Sequence, residues 1–183
     1  VKIFAERGYG STSVRDIAER ARIRVSTLYH YFRSKDDMYG EVQRRVDLAV
    51  RDIVVSCLDE DLEFRDLVQQ LIEKLFDFLL AHRDEARLAF EARLGRVATG
   101  DPGATREWVG LAEGVLRPAA ARGLLTEIDP VLFIISMDGL LHWHVVNEAA
   151  YRRNGGRDLS DAETAERVKH HIVQMTLRGL GIE

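Results

Sequence analysis

The sequence predicts an all-α fold: an N-terminal three-helix, helix-turn-helix domain followed by an all-helical ligand-binding and dimerisation domain. Three observations predict it. Apolar residues recur at steps of three and four over long stretches, no stretch shows the alternation of a half-buried strand, and only three prolines interrupt 183 residues. The segment VKIFAERG ends a first helix, expected to begin upstream of Val1, with Ile3 and Phe4 inward and Gly8 at a left-handed C-terminal position. Ser13 and Asp16 have capping-box spacing and open a second helix, with Val14, Ile17, Ala18 and Ala21 on its apolar face. After a three-residue break a short helix is expected around residues 26–32, with Leu28 and Phe32 packing on the helix before it.

Ser34 and Asp37 repeat the cap and start a long helix, 35–58, whose apolar stripe contains Met38, Val42, Val46, Ala49, Ile53 and Cys57. The stretch DEDLEF opens the next helix, and Asp84 begins a short one that ends near Leu94. The turn residues of ATGDPGA predict a loop. A helix from about Thr105 to Arg122 is expected to bend at Pro118 and stop at Gly123. Asp129 and Pro130 form a cap and first-turn pair for a helix apolar nearly all round, expected to continue to about Arg153. NGGRDLSD predicts a loop. Ser160 or Asp161 caps the last helix, where Ala165, Val168, Ile172 and Met175 are spaced three and four apart.

Apolar residues make up 46% of the chain, too many for a disordered protein. The longest apolar run, VLFIISMDGLLHWHVV, is interrupted by Asp138 and two histidines and falls short of the roughly 18–20 residues of a membrane span. No signal peptide is visible, and the single cysteine fits a reducing compartment, so a cytoplasmic location is expected. The net charge of −4 is unevenly spread. Residues 1–35 carry eight Lys/Arg against three Asp/Glu, a net of +5, which leaves −9 for the other 148. A basic end on an acidic body points to an anionic partner for that end.

The two short helices with a three-residue break describe a helix-turn-helix. Arg22 and Arg24 stand at the entry of the second helix, where the helix dipole disfavours cations by about 0.3–1 kcal/mol. There they can neutralise phosphates or read guanine edges. Ser26, Thr27, Tyr29, His30 and Tyr31 can donate to phosphate or base atoms, and Lys35 lies in the first turn of the next helix, where a phosphate is attracted.

The stretch GYGSTSVRDIAERARIRVSTLYHYFRSKDDM resembles the DNA-binding domain of the tetracycline-repressor (TetR) family. The resemblance rests on Gly8, Tyr9, Thr12, Ser13, Val14, Ile17, Ala18, Ala21, Thr27, Leu28, Tyr29, Tyr31, Phe32, Ser34, Lys35, Asp36 and Asp37. It implies phosphate contacts by Thr12, Thr27, Tyr31 and Lys35, a groove position for Tyr29, and base-facing positions for Arg24, Val25 and Ser26. Four positions depart from the family pattern. Arg22 replaces the turn glycine, Arg24 the capping serine, Ser26 a smaller residue and Met38 a leucine. Losing the cap costs about 1 kcal/mol, and a left-handed non-glycine costs about the same or more. Both arginines are explained by a polyanion rather than by folding.

Residues 1–46 are therefore expected to form the DNA-binding domain, and residues 47–183 the ligand-binding and dimerisation domain. The expected function is that of a repressor binding a near-palindromic, double-stranded operator as a homodimer. A small hydrophobic or amphipathic effector would release it. The effector pocket is placed among Leu75, Leu79, Phe90, Trp108, Leu111, Val115, Met137 and Leu141. Asp138 and His142, four apart on one helix face, contact a polar ligand group or form a buried pair. Val168, Ile172 and Met175 are expected at the dimer interface. No cofactor, metal site, catalytic residue or membrane partner is expected. His142 and His144 point about 200° apart, and no metal-binding or nucleophile motif occurs. Two other readings stay open: a constitutive DNA-binding dimer with a solid C-terminal core, and an all-α enzyme carrying a helix-turn-helix-like hairpin.

Overall fold

A computed structural model describes residues 1–58, 62–95, 103–125, 128–155 and 158–182. Ten helices occur in these residues: α1 Lys2–Arg7, α2 Val14–Ala21, α3 Val25–Tyr31, α4 Lys35–Leu58, α5 Phe64–Ala81, α6 Arg83–Arg93, α7 Gly103–Ala121, α8 Pro130–Val146, α9 Glu148–Gly155 and α10 Ala162–Gly179. The described residues contain no strand.

Local signals set most boundaries. Gly8 ends α1 at φ 76°, ψ 166°. That is positive φ as expected, but with an extended ψ open essentially only to glycine, not the left-handed helical conformation. The Ser13–Asp16 capping box forms on α2. Asp129 accepts from the N–H groups of Val131 and Leu132 with Pro130 in the first turn of α8. Asp161, rather than Ser160, caps α10 by accepting from the Thr164 N–H. Pro118 lies within α7. The loop expected at ATGDPGA lies outside the described residues up to Pro102, as do the three acids that open DEDLEF.

The single helix expected from Pro130 to about Arg153 is two helices. Asn147 leaves the helical region at φ −101°, ψ 49°, and its carbonyl accepts from the Ala150 N–H to start α9. The break is a change of backbone angles at one residue, which apolar periodicity alone does not register.

The long α4 joins the two ends of the molecule. Its 24 residues span about 36 Å at 1.5 Å per residue. Around its N-terminal half, Phe4, Ala18, Leu28, Met38, Tyr39 and Val42 pack into one cluster with Leu88 and Ala92 of α6. The Tyr39 hydroxyl donates to the Leu88 carbonyl at 3.1 Å, and Arg87 donates to the Ala5 carbonyl. The N-terminal helices thus rest on α6 as well as on α4. Around its C-terminal half, Val46 and Val50 pack with Ala89, Trp108, Leu116 and Ile134. A third cluster joins α5, α8 and α10 through Ile72, Phe76, Leu141, Val145, Ile172 and Leu177.

Candidate nucleic-acid interface and effector cavity

The N-terminal helices expose one face of α3. Of α3, only Leu28 is buried. Ser26, Thr27, Tyr29, His30 and Tyr31 are exposed, with Val25 half-buried at the first turn. His30 and Tyr31 meet edge-on with ring centroids 5.2 Å apart.

The turn before α3 is held by backbone geometry. Arg22 sits at φ 56°, ψ 39°, the sole non-glycine with positive φ among the described residues. Its N–H bonds to the carbonyls of Ala18 and Glu19, and the Ile23 N–H bonds to Ala18, closing α2. Arg24 takes the N-cap position of α3 in an extended conformation and makes no side-chain cap. Two neighbouring arginines are spent within the protein. Arg20 forms a two-pronged pair with Glu6 at 2.6 and 2.8 Å, and Arg7 reaches Asp16 at 3.5 Å. Arg22 and Arg24 are exposed and make no ion pair with a described residue. Two cations placed against both the turn and the helix dipole leave unpaired positive charge on this exposed surface, where an anion would be favoured.

Two residues expected on phosphates have other work. Thr12 is buried, and its hydroxyl donates to the Gly8 carbonyl at 2.7 Å. Lys35 donates to the carbonyls of Tyr9 and Thr12, both at 2.9 Å, with its ammonium 4.0 Å from the Tyr9 ring centroid. The Tyr9 hydroxyl in turn donates to Asp36, which pushes its phenol up to about 12, aided by burial. Two backbone carbonyls between α1 and α2 accept from the lysine, so it pins that turn to the start of α4. Replacing Lys35 by methionine is therefore expected to destabilise the fold by about 1.5–3 kcal/mol, the range for hydrogen bonds to a charged group. The salt dependence of DNA binding should change by less than one phosphate contact. Denaturant titration and a salt series of binding constants check this together.

The second site is a cavity of about 100 Å³ lined by α4, α5, α7, α8 and α10. Leu75, Leu79, Trp108, Val115, Met137, Asp138, Leu141 and His142 line it, together with Val50, Val54, Cys57 and Thr176. Leu111 and Phe90 are not among the lining residues. Phe90 stands behind the wall, its ring stacked on His142 at 5.1 Å and 9°. Helix α7 shows a different side at Leu111, which is half-buried.

A charged network closes one end of the cavity. Arg93 of α6 donates to both carboxylate oxygens of Asp138 at 2.8 and 2.9 Å, and to Asp47 of α4 at 2.9 Å. The arginine and Asp47 are almost wholly enclosed. Burial opposes ionisation of Asp138, but the bond from His142 and the Arg93 charge outweigh it and hold the carboxyl below the usual range. The pairing of Asp138 with His142 was legible at four-residue spacing, whereas Arg93 and Asp47 were not. Both look like surface charges on helices in sequence, and only the packing of α4, α6 and α8 brings them together.

Among the described residues no group of three metal-ligand side chains occurs, and no helix is long and apolar enough to cross a membrane.

Residues 1–42 match the family model for "Bacterial regulatory proteins, tetR family", and residues 65–176 match that for "Tetracyclin repressor-like, C-terminal domain". The chain belongs to the TetR family. It is 34% identical over 129 residues to the HTH-type transcriptional repressor KstR2 of Mycobacterium tuberculosis, covering 63% of this chain and 64% of that protein. The chain thus spans under two thirds of the length of the curated relatives it matches first. Two of the solved structures that share its fold hold a ligand. FadR of Bacillus subtilis in complex with stearoyl-CoA has a TM-score of 0.73 and 17% identity, covering 97% of this chain and 94% of that one. AibR in complex with isovaleryl coenzyme A and operator DNA has a TM-score of 0.71 and 18% identity, covering 95% and 91%. The family match, to bacterial regulatory proteins, displaces the all-α enzyme reading.

Proposed function

We propose that this chain is a one-component repressor of the cytoplasm. It grips a near-palindromic operator as a dimer through α2 and α3 and is released when a small apolar or amphipathic molecule enters the cavity. Residues 1–46 would read DNA, and the remainder would bind effector and partner. The observation that carries the reading is Arg93. It bonds Asp138 at the cavity wall and Asp47 on α4, the helix whose N-terminal end packs against Phe4 and Leu28 of the exposed DNA-facing unit. A ligand that shifts Asp138 bears on α4 through one side chain. Binding alone is not enough, since a ligand changes DNA affinity only if it prefers one arrangement of the helices. A coupling of about 1–3 kcal/mol would change operator affinity 5–150-fold. The cavity disfavours the constitutive reading, and the acyl-CoA complexes of FadR and AibR make an amphipathic effector reasonable.

Dimerisation is proposed through the exposed apolar side of α8. Leu132, Ile135 and Trp143 are 64%, 59% and 57% exposed, and their spacing of three and eight places them with Gly139 on one face. Met175 of α10 is exposed as well. Ile172, expected in the interface, lies wholly inside the protomer's own core, and Val168 packs against that core. Two such α8–α10 faces joined about a two-fold axis would bury the patch and set the operator symmetry.

Selection from random DNA is expected to return an inverted repeat, and a ligand found by thermal-shift screening should lower affinity for it. At 100 times its dissociation constant such a ligand adds about 2.7 kcal/mol of stability. Ile135→Glu should give a folded monomer by sedimentation and circular dichroism, with operator binding lost. Ile172→Glu should unfold the chain. A dimeric Ile135→Glu variant would refute this interface, and a tight ligand without effect on operator affinity would refute the coupling.

A further inference from the structure

We propose that a groove between α8, α9 and α10 binds a tetrahedral oxyanion of the phosphate type through Arg167, His171 and His144. The groove shares no lining residue with the apolar cavity, so the proposal stands whether or not that cavity takes a ligand. Its volume is about 320 Å³, and its walls are His144 of α8, Tyr151 of α9 and Thr164, Arg167, Val168 and His171 of α10. The α10 residues are three, four and seven positions beyond Thr164, which puts them along one face of that helix. On the other wall the His144 Nδ1 and the Tyr151 hydroxyl are hydrogen-bonded, with ring centroids 5.9 Å apart. That bond ties the imidazole to α9.

The charge in this groove is one-sided. Residues 36–183 carry a net −9, yet no described acid lines the groove. Nearby cations are paired: Lys169 with Asp77 and Glu166, and Arg152 with Asp158. Arg167 is exposed and makes no ion pair with a described residue. The Thr164 hydroxyl is committed to the Asp161 carboxylate that caps α10, which leaves the guanidinium and the two imidazoles. Burial, and after it the His171 charge, hold the His144 imidazole below its ordinary value. Like charges therefore meet across the groove with no described acid lining it, and an anion placed there reverses the repulsion. A metal cation would meet the Arg167 charge and is disfavoured. A phosphate-type group presents several acceptor oxygens in different directions, which suits donors arriving from α8 and α10 and the fork of an arginine. A planar carboxylate occupies the arginine fork and leaves the imidazoles without an oxygen.

The test is titration of the full chain with sulfate, inorganic phosphate, phenyl phosphate and acetate at constant ionic strength, followed through the histidine ring resonances by NMR. Saturable shifts at His144 and His171 are expected with the three tetrahedral anions, with acetate about tenfold weaker. Sulfate keeps its charge across the range used, so a pH effect on its binding belongs to the protein. The titratable and charged groups that face the two imidazoles along the groove are each other, Tyr151 and Arg167. Sulfate should bind about fivefold tighter at about pH 5.5 than at about pH 7.5, because the anion favours the charged imidazoles. Arg167→Gln should weaken binding about tenfold, and His171→Gln should remove most of the pH dependence. Both positions are exposed, and circular dichroism checks that each variant is folded. Phenyl phosphate binding tighter than inorganic phosphate supports the site with a phosphate ester as its ligand, and the reverse order supports it with the free anion. Shifts that do not saturate, acetate bound as tightly as sulfate, or sulfate affinity unchanged in Arg167→Gln would each overturn the proposal.

Discussion

Replacing Arg93 by methionine is expected to destabilise the protein by about 3–5 kcal/mol, the range for stripping one partner from a buried charge network. The guanidinium is nearly enclosed and bridges two carboxylates on different helices. Methionine fills a similar volume, so most of the loss comes from removing the Arg93 charge from beside Asp47 and Asp138 and not from a void. The pH dependence identifies the cause. In the wild type the Asp138 carboxyl is held below its usual range. Its contribution is complete above the unfolded value of about 3.9 and lost as pH falls through the lower folded value. In the variant a buried carboxylate without its cation binds a proton more readily in the folded state. The deficit should be largest near neutral pH and narrow at about pH 5, as the Asp138 carboxyl takes up a proton. Urea midpoints of both proteins at the two pH values decide the matter. A deficit that is the same at both would mean lost packing rather than unpaired charge. The same variant severs the link between cavity and α4, so any effector should lose most of its influence on operator affinity.

The second large effect has opposite signs on folding and on function. The double change Arg22→Gly with Arg24→Ser is expected to stabilise the fold by about 2 kcal/mol, about one from relieving the left-handed arginine and one from a capping hydroxyl. The first is warranted by φ 56° at Arg22, and the second by the uncapped N-terminus of α3. Operator affinity should fall about 100-fold or more, since each arginine contact to a base edge contributes about 1–3 kcal/mol of discrimination. To the extent that these arginines meet phosphates instead, the slope of log affinity against log salt drops by about 0.9 for each lost contact, counted over both protomers. A variant that melts higher and binds its operator as before would show that these arginines do not face DNA. One that melts lower would show that they stabilise the free protein. Such an opposition would explain why a chain places two cations against a helix dipole, one of them in a left-handed turn.

What was legible in the sequence was local. The Ser13–Asp16 box, the Asp129–Pro130 start of α8 and the unbroken α4 were all visible there, because each depends on contacts within about one helical turn. The chemical character of α3 was equally plain, since a short helix with one inward leucine has little choice of which face to expose.

Tertiary structure decided what depends on contacts between distant residues. Helix α8 is apolar on every side, so periodicity could not say that Ile134 and Leu141 point inward while Leu132 and Ile135 point out. In α10 the even stripe hid that Ile172 belongs to the protomer's own core and Met175 to its surface. The fold brings two carbonyls, 23 and 26 residues away, to the Lys35 ammonium, which no local pattern shows. The bridge from Asp138 to Asp47 runs through Arg93, 45 and 46 residues from its partners. Helix formation is governed by near neighbours along the chain, which a sequence displays directly. The identity of a buried charge's partner is governed by which helices pack together, and only the folded chain determines that.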